Sequence, residues 1–272
     1  MLKTRVITAL ILAGGLLVAL WLLPLLGALL LFVVIVALAA WEWAGLLKAT
    51  PAGRVGYAVL TSLPCLALLA AELPLPLLRG LWGLALVFWL VAVPLWFRAK
   101  WPLRNALQGW LIGWLLLVPS WAAMAVLYRY SPWLLLAAMA LVWVADSAAY
   151  FAGRTFGRHK LAPSISPGKT WEGAVGAVVG VLIYGLIVGN ASGHLATLGA
   201  AQLPLAALGL LLLTAVSILG DLFESLAKRQ AGVKDSSALL PGHGGVLDRI
   251  DSLTSTLPLA ALAATALLLP SA

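Results

Sequence analysis

The sequence predicts an all-α, polytopic membrane protein: a transmembrane bundle of about nine helices with its N-terminus in the cytoplasm. Three observations predict it. Hydrophobic residues make up 63% of the 272 and charged residues only 10%, against about 45–50% and about 25% in soluble domains. The apolar residues fall into stretches of about 20, the length that crosses a bilayer as a helix. Finally, the cations lie almost entirely on one side of the alternating topology those stretches define. Water cannot accommodate so much apolar surface, whereas lipid can, and the 13 Trp suit a chain with two membrane interfaces.

In chain order the predicted spans are about 6–23, 26–46, 55–73, 79–97, 109–127, 132–152, 173–190, 204–225 and 250–269. They must be helices, because backbone groups in lipid have to be satisfied within the segment. Met1 to Arg5 is basic and leads into the first apolar run, as in a signal peptide. That run continues past Pro24 to Ala40 with no small-residue cleavage site after it, so a retained helix is expected. No internal repeat, low-complexity tract or long linker divides the chain. Residues 1–272 read as one membrane domain, with N-terminal helices over about 1–130 and a second half over about 131–272. Cys65, the single cysteine, lies in an apolar run and reads as a small core residue.

With the N-terminus inside, every Lys and Arg except Arg79 and Arg129 falls in an inside segment. A missed or extra span would scramble this pattern. Topology therefore accounts for most of the formal charge of +8. The bilayer is the expected partner, its anionic headgroups included, and no nucleic acid is needed.

The acids have no such explanation. Of nine, only Glu42 and Glu72 lie in the first half. Asp146, Glu172, Asp221, Glu224, Asp235, Asp248 and Asp251 gather at the cytoplasmic ends of spans six to nine. Asp146 sits inside span six, about two turns from its end. An ionisable group there marks function by default, although pairing with Arg154 or Lys169 would also explain it. Asp221, Glu224, Ser225 and Lys228 are spaced to share one face of span eight. Asp248 and Asp251 share a face at the start of span nine. A short connection allows Asp221, Asp248 and Asp251 to converge, and such carboxylates call for a cation. Magnesium suits them, since it takes carboxylate oxygens and leaves places for water and phosphate. Alternatively, Asp248 and Asp251 are helix N-terminal acids paired with Arg249.

Two inside loops carry the remaining polar groups. Between spans eight and nine, Gly242, Gly244 and Gly245 flank His243, and glycines let backbone N–H groups approach a phosphate. The loop feeds a helix N-terminus, which favours anions, and Lys228, Arg229, Lys234 and Arg249 add positive charge. His243 either binds phosphate or fixes the loop. Between spans six and seven stand Arg154, Arg158, His159, Lys160 and Lys169. Ser166 to Thr170 is a faint phosphate-loop pattern that fails, because Pro163 replaces its first glycine and no strand is expected before it. No zinc-type Cys/His cluster, HExxH or GxSxG motif is present.

The stretch from Ser225 to Asp251, SLAKRQAGVKDSSALLPGHGGVLDRID, closely resembles the signature of the phosphatidate cytidylyltransferases, or CDP-diacylglycerol synthases. Asp146 to Glu172, with its DxxAY, GRxxGR and SPGKTWEG elements, resembles the family's other cytoplasmic block. Specific similarity covers roughly residues 143–256. The first half shares hydropathy and the Trp41-Glu42-Trp43 element. Ala227 and Ala148 depart from the usual pattern without removing a charged group.

The resemblance implies transfer of the cytidylyl group of CTP to phosphatidate at the cytoplasmic face of a bacterial inner membrane, by a homodimer. It assigns Asp221, Asp248 and Asp251 to Mg2+, with a second cation such as K+. Lys234, Asp235, His243, Gly244 and Gly245 would position CTP, while Ser225, Lys228, Arg229 and Arg249 surround its phosphates. Asp146, Arg154, Lys169 and Glu172 would line the lipid-phosphate side or hold that wall together. Two other readings stay open at this point: another CTP-dependent membrane lipid enzyme, and a transporter with buried charges.

Overall fold

The computed structural model describes residues 2–71, 74–99, 101–103 and 106–268. Glu72, Lys100 and Arg104, which entered the charge pattern, lie outside the described residues, as do the side chains of Lys3 and Arg5. The helices are α1 (Leu2–Trp21), α2 (Leu25–Leu46), α3 (Pro51–Ala70), α4 (Leu75–Val87), α5 (Val93–Ala99), α6 (Ala106–Tyr130), α7 (Pro132–Phe156), α8 (Trp171–Ala191), the single turn α9 (His194–Thr197), α10 (Gln202–Ala231) and α11 (Leu247–Leu268). A π-helical turn, Phe88–Ala92, joins α4 to α5 without a break. Each predicted span overlaps a described helix, the fourth running over α4, the π turn and α5. Among the described residues seven are long and apolar enough to cross a membrane: α2, α3, the joined α4–α5, α6, α7, α8 and α10.

Of the two further helices that match predicted spans, α1 and α11, α11 is the more central. α11 packs against α10, α6, α4, α7 and α2, and residues 252–258 are all buried. It is polar where it is buried. Thr254, Ser255 and Thr256 donate to carbonyls of their own helix at 2.6–2.9 Å, so their hydroxyls are satisfied internally. Protein surrounds α11, so its sequence need not resemble lipid. The outer helices carry the apolar faces instead, with Leu22, Leu77, Trp133, Phe151 and Ile187 all exposed.

Aromatic packing fixes the helix ends beneath the polar loops. Phe223 of α10 lies 5.6–6.4 Å, centroid to centroid, from Trp43, Phe88, Trp89 and Trp96, and is itself buried. Offset and edge contacts of this kind contribute beyond the area they bury. The Trp43 indole N–H also donates to the Gly109 carbonyl at 2.8 Å, which locks the end of α2 to α6.

One local expectation is corrected. A short strand does precede the Ser166–Thr170 run: β1 (Lys160–Ala162) pairs antiparallel with β2 (Ser166–Thr170). That run is the second strand of a hairpin and is extended, so it does not coil around a phosphate. Thr170 ends the strand and caps α8, accepting from the Gly173 N–H at 3.1 Å, a common way to begin a helix.

Candidate active site

A cavity of about 610 Å³ opens between α7, α8, α10, the hairpin and the start of α11. Asp146 and Arg154 reach it from α7, Lys169 from β2, Asp221 and Lys228 from α10, Asp235 from the loop, and Asp248, Arg249 and Asp251 from α11. The rest of its lining mixes apolar residues, including Ala145, Ala149, Ala177 and Ile218, with Tyr150, Ser166 and Thr170.

Gly220 sets the spacing of the two helices that bring the acids together. A Cβ there would stand 2.9 Å from the Asp251 carbonyl and would overlap the Ser255 hydroxyl. Only glycine lets α10 approach α11 so closely one residue before Asp221. Asp221 consequently comes within electrostatic reach of both Asp251 and Asp146. Lys169 Nζ lies 2.6 Å from Asp221 Oδ2, and Ser225 Oγ donates to Asp221 Oδ1 at 3.3 Å. Asp251 accepts from the Ser252 N–H at 2.7 Å.

Asp248 is engaged differently. Its Oδ1 meets Lys228 Nζ at 2.7 Å. Its Oδ2 accepts from Ser236 N–H at 2.9 Å, Ser236 Oγ at 2.9 Å and Gly245 N–H at 2.8 Å. Lys228 also pairs with buried Glu224 at 2.5 Å. Two nearly buried carboxylates therefore share one ammonium, an arrangement that compensates charges which would be costly alone.

The expected ligand trio is accordingly not gathered. Among the described residues no three acidic, histidine or cysteine side chains converge on one ion position, because Asp248 is turned to Lys228 and the loop. Asp221 and Asp251 remain, with Asp146 beside them. Their all-oxygen donor set fits magnesium, which binds through one or two carboxylates and completes its shell with water and substrate phosphate.

The loop glycines are shaped by contacts within the chain. Gly245 donates its N–H to Asp248, and a Cβ on it would overlap Ser236 Oγ and Glu42 Oε1. Gly244 takes φ 78°, a left-handed conformation that glycine adopts readily. Val246 and Leu247, at the start of α11, donate their N–H groups to Glu42 at 3.0 and 2.6 Å. The anions at this helix terminus are thus the chain's own carboxylates.

Glu42 is the site residue that the motif reading passed over. It is fully buried at the end of α2, and it also accepts from Ser237 Oγ at 2.6 Å and Ser236 Oγ at 3.2 Å. The available signal was a lone acid between two tryptophans in an acid-poor half.

The remaining expected residues lie around the cavity rather than on it. Glu172 bonds His159, Nδ1 to Oε1, at 2.7 Å and accepts from the His159 N–H, tying α8 to the approach of β1. Arg229 donates to the carbonyls of Ile165 and Val233 at 3.4 and 3.2 Å, bridging the two loops. Lys234 is exposed. The His243 N–H donates to the Leu240 carbonyl at 2.8 Å within the loop.

The family model described as the cytidylyltransferase family matches residues 3–267. A phosphatidate cytidylyltransferase of Pseudomonas aeruginosa is 45% identical over 267 residues, 95% of each chain. One from Haemophilus influenzae is 44% identical over 65% of this chain and 63% of its own. One from Bacillus subtilis is 45% identical over 44% of this chain and 43% of its own.

Proposed function

The chain belongs to the cytidylyltransferase family, and from that premise we propose that it converts CTP and phosphatidate to CDP-diacylglycerol and pyrophosphate. The observation that carries this reading is the cavity: a cluster of carboxylates and cations in a space that Ala145, Ala149 and Ile218 also line. Such a site accepts a polyphosphate from water and a phosphate head from lipid.

A phosphatidate phosphate oxygen attacks the α-phosphorus of CTP. The bond from that phosphorus to the bridging oxygen breaks, and pyrophosphate leaves with the electron pair. The nucleophile is already ionised, so no side chain need remove a proton. The residues' work is positioning and charge stabilisation. Lys169, Arg154 and Arg249 offset phosphate charge, and Lys228 holds Asp248 in place. Lys234, Asp235 and the Gly244–Gly245 loop form the nucleotide side, with Asp146 and the hairpin on the lipid side. Asp221 and Asp251 would hold Mg2+, with K+ as a second cation, and the metal would supply neutralisation of charge on the polyphosphate.

The finer topology follows the same reading. The chain has nine spans, its N-terminus and cavity face the cytoplasm, and it sits in a bacterial inner membrane as a homodimer. Asymmetry of the Lys and Arg supports the orientation.

The test is transfer of label from cytidine-labelled CTP into lipid by the purified protein. Label should require phosphatidate and magnesium. Asp251→Asn should lower the rate about 100-fold or more, the scale for losing a group that organises transition-state charge. Transfer without phosphatidate, or an unimpaired Asp251→Asn, would overturn the reading.

A further inference from the structure

We propose that Glu42, which lies outside the cavity, is a positioning residue for the nucleotide side of the site. The inference rests on the function proposed above and names a residue on which that function depends.

Four groups converge on its carboxylate. Oε1 accepts from Ser237 Oγ and Val246 N–H, and Oε2 accepts from Leu247 N–H. Ser236 Oγ lies within hydrogen-bond reach of both Glu42 Oε2 and Asp248 Oδ2, so its one proton is donated to one carboxylate or the other. These donors come from both ends of the segment connecting the loop to α11. One acid therefore fixes where Ser236 and Ser237 lie and where α11 begins. Asp235 immediately precedes the first pair, and Asp248 immediately follows the last donor. Both line the cavity, whereas Glu42 does not.

The arrangement is over-determined for a mere core contact. A carboxylate with no exposed surface could be replaced by an apolar side chain if the only requirement were filling space. Here its two oxygens answer two helix-terminal N–H groups that have no intrahelical partners. Trp43, stacked on Phe223 and bonded to Gly109, holds the backbone of Glu42 still. Gly245 leaves no space for a Cβ between Glu42 and Ser236. The position of the loop is thus referred to α2, a helix distant in sequence from both.

Glu42→Gln keeps the shape but leaves one acceptor oxygen for the two backbone donors. In protein that remains folded, with an unchanged elution profile, the KM for CTP should rise about 10-fold and kcat should fall about 5-fold. The KM for phosphatidate should stay within about twofold. A purely structural role would lower the melting temperature without this split. Ser237→Ala removes one donor and leaves the helix start capped, so it should raise the KM for CTP about twofold to threefold at near-normal stability.

If Glu42→Gln folds and leaves both KM values and kcat within about 1.5-fold, or raises both KM values alike, the proposal is overturned. Should Glu42→Gln fail to fold, Ser237→Ala decides, and an unchanged KM for CTP overturns the proposal. A wild-type protein without transfer activity would instead overturn the proposed function.

Discussion

The hairpin between α7 and α8 is tied by partly exposed ion pairs, whereas the loop between α10 and α11 is gripped by buried carboxylates. In the hairpin, Lys160 pairs with Thr170 and Ala162 with Ser166. Its side-chain ties are His159 to Glu172, largely in solvent at the histidine end, and Lys169 to Asp221, partly exposed at both ends. In the loop, Glu42 and Asp248 take donors from Ser236, Ser237, Gly245, Val246 and Leu247, mostly away from water. Both segments are basic connections between apolar helices. The difference lies in how far the acids are buried: Glu172 and Asp221, both partly exposed, serve the first, and Glu42 and Asp248, both buried or nearly so, serve the second. One wall of the cavity is therefore built to stay in place, and the other depends on weaker contacts.

Stability measurements can break this contrast. Lys228→Met would leave Glu224 and Asp248 without their shared cation. It should cost about 3–5 kcal/mol, the penalty for removing one partner of a buried pair, read as a lower unfolding midpoint in detergent. Gly245→Ala drives a methyl group between Ser236 and Glu42 and should cost about 1–3 kcal/mol in the same assay. Thr170→Ala removes the cap of α8 on the hairpin side and should cost about 1 kcal/mol. If Thr170→Ala proved more damaging than Gly245→Ala, the two walls would have to be ranked the other way.

Hydropathy makes the helices legible because a spanning helix must be long, apolar and internally bonded. It marks α11 too, as the span at about 250–269, even though Ser252, Thr254, Ser255 and Thr256 are buried in it, because they bond their own helix or sit against protein rather than lipid. The π turn at Phe88–Ala92 left no readable sign, because its residues are as apolar as their neighbours. β1 and β2 are too short to show a period of two. Helical spacing correctly placed Asp221, Ser225 and Lys228 on one face. It could not reveal that Asp248 faces Lys228 and the loop rather than Asp221 and Asp251, since such choices depend on donors that only folding brings near. Glu42 was hidden for the same reason: its partners lie 194–205 residues away, beyond any local pattern.

The buried acid of α2 also has a consequence for biosynthesis. α2 leaves the ribosome long before Ser236 to Leu247 exist, so its carboxylate enters the folding chain with none of its final donors. Until α11 arrives, that acid must find water or another donor, because an unpaired charge among apolar helices is costly. A nascent chain interrupted before α11 thus displays an unmet acid, a chemical mark of incompleteness that the finished protein does not carry.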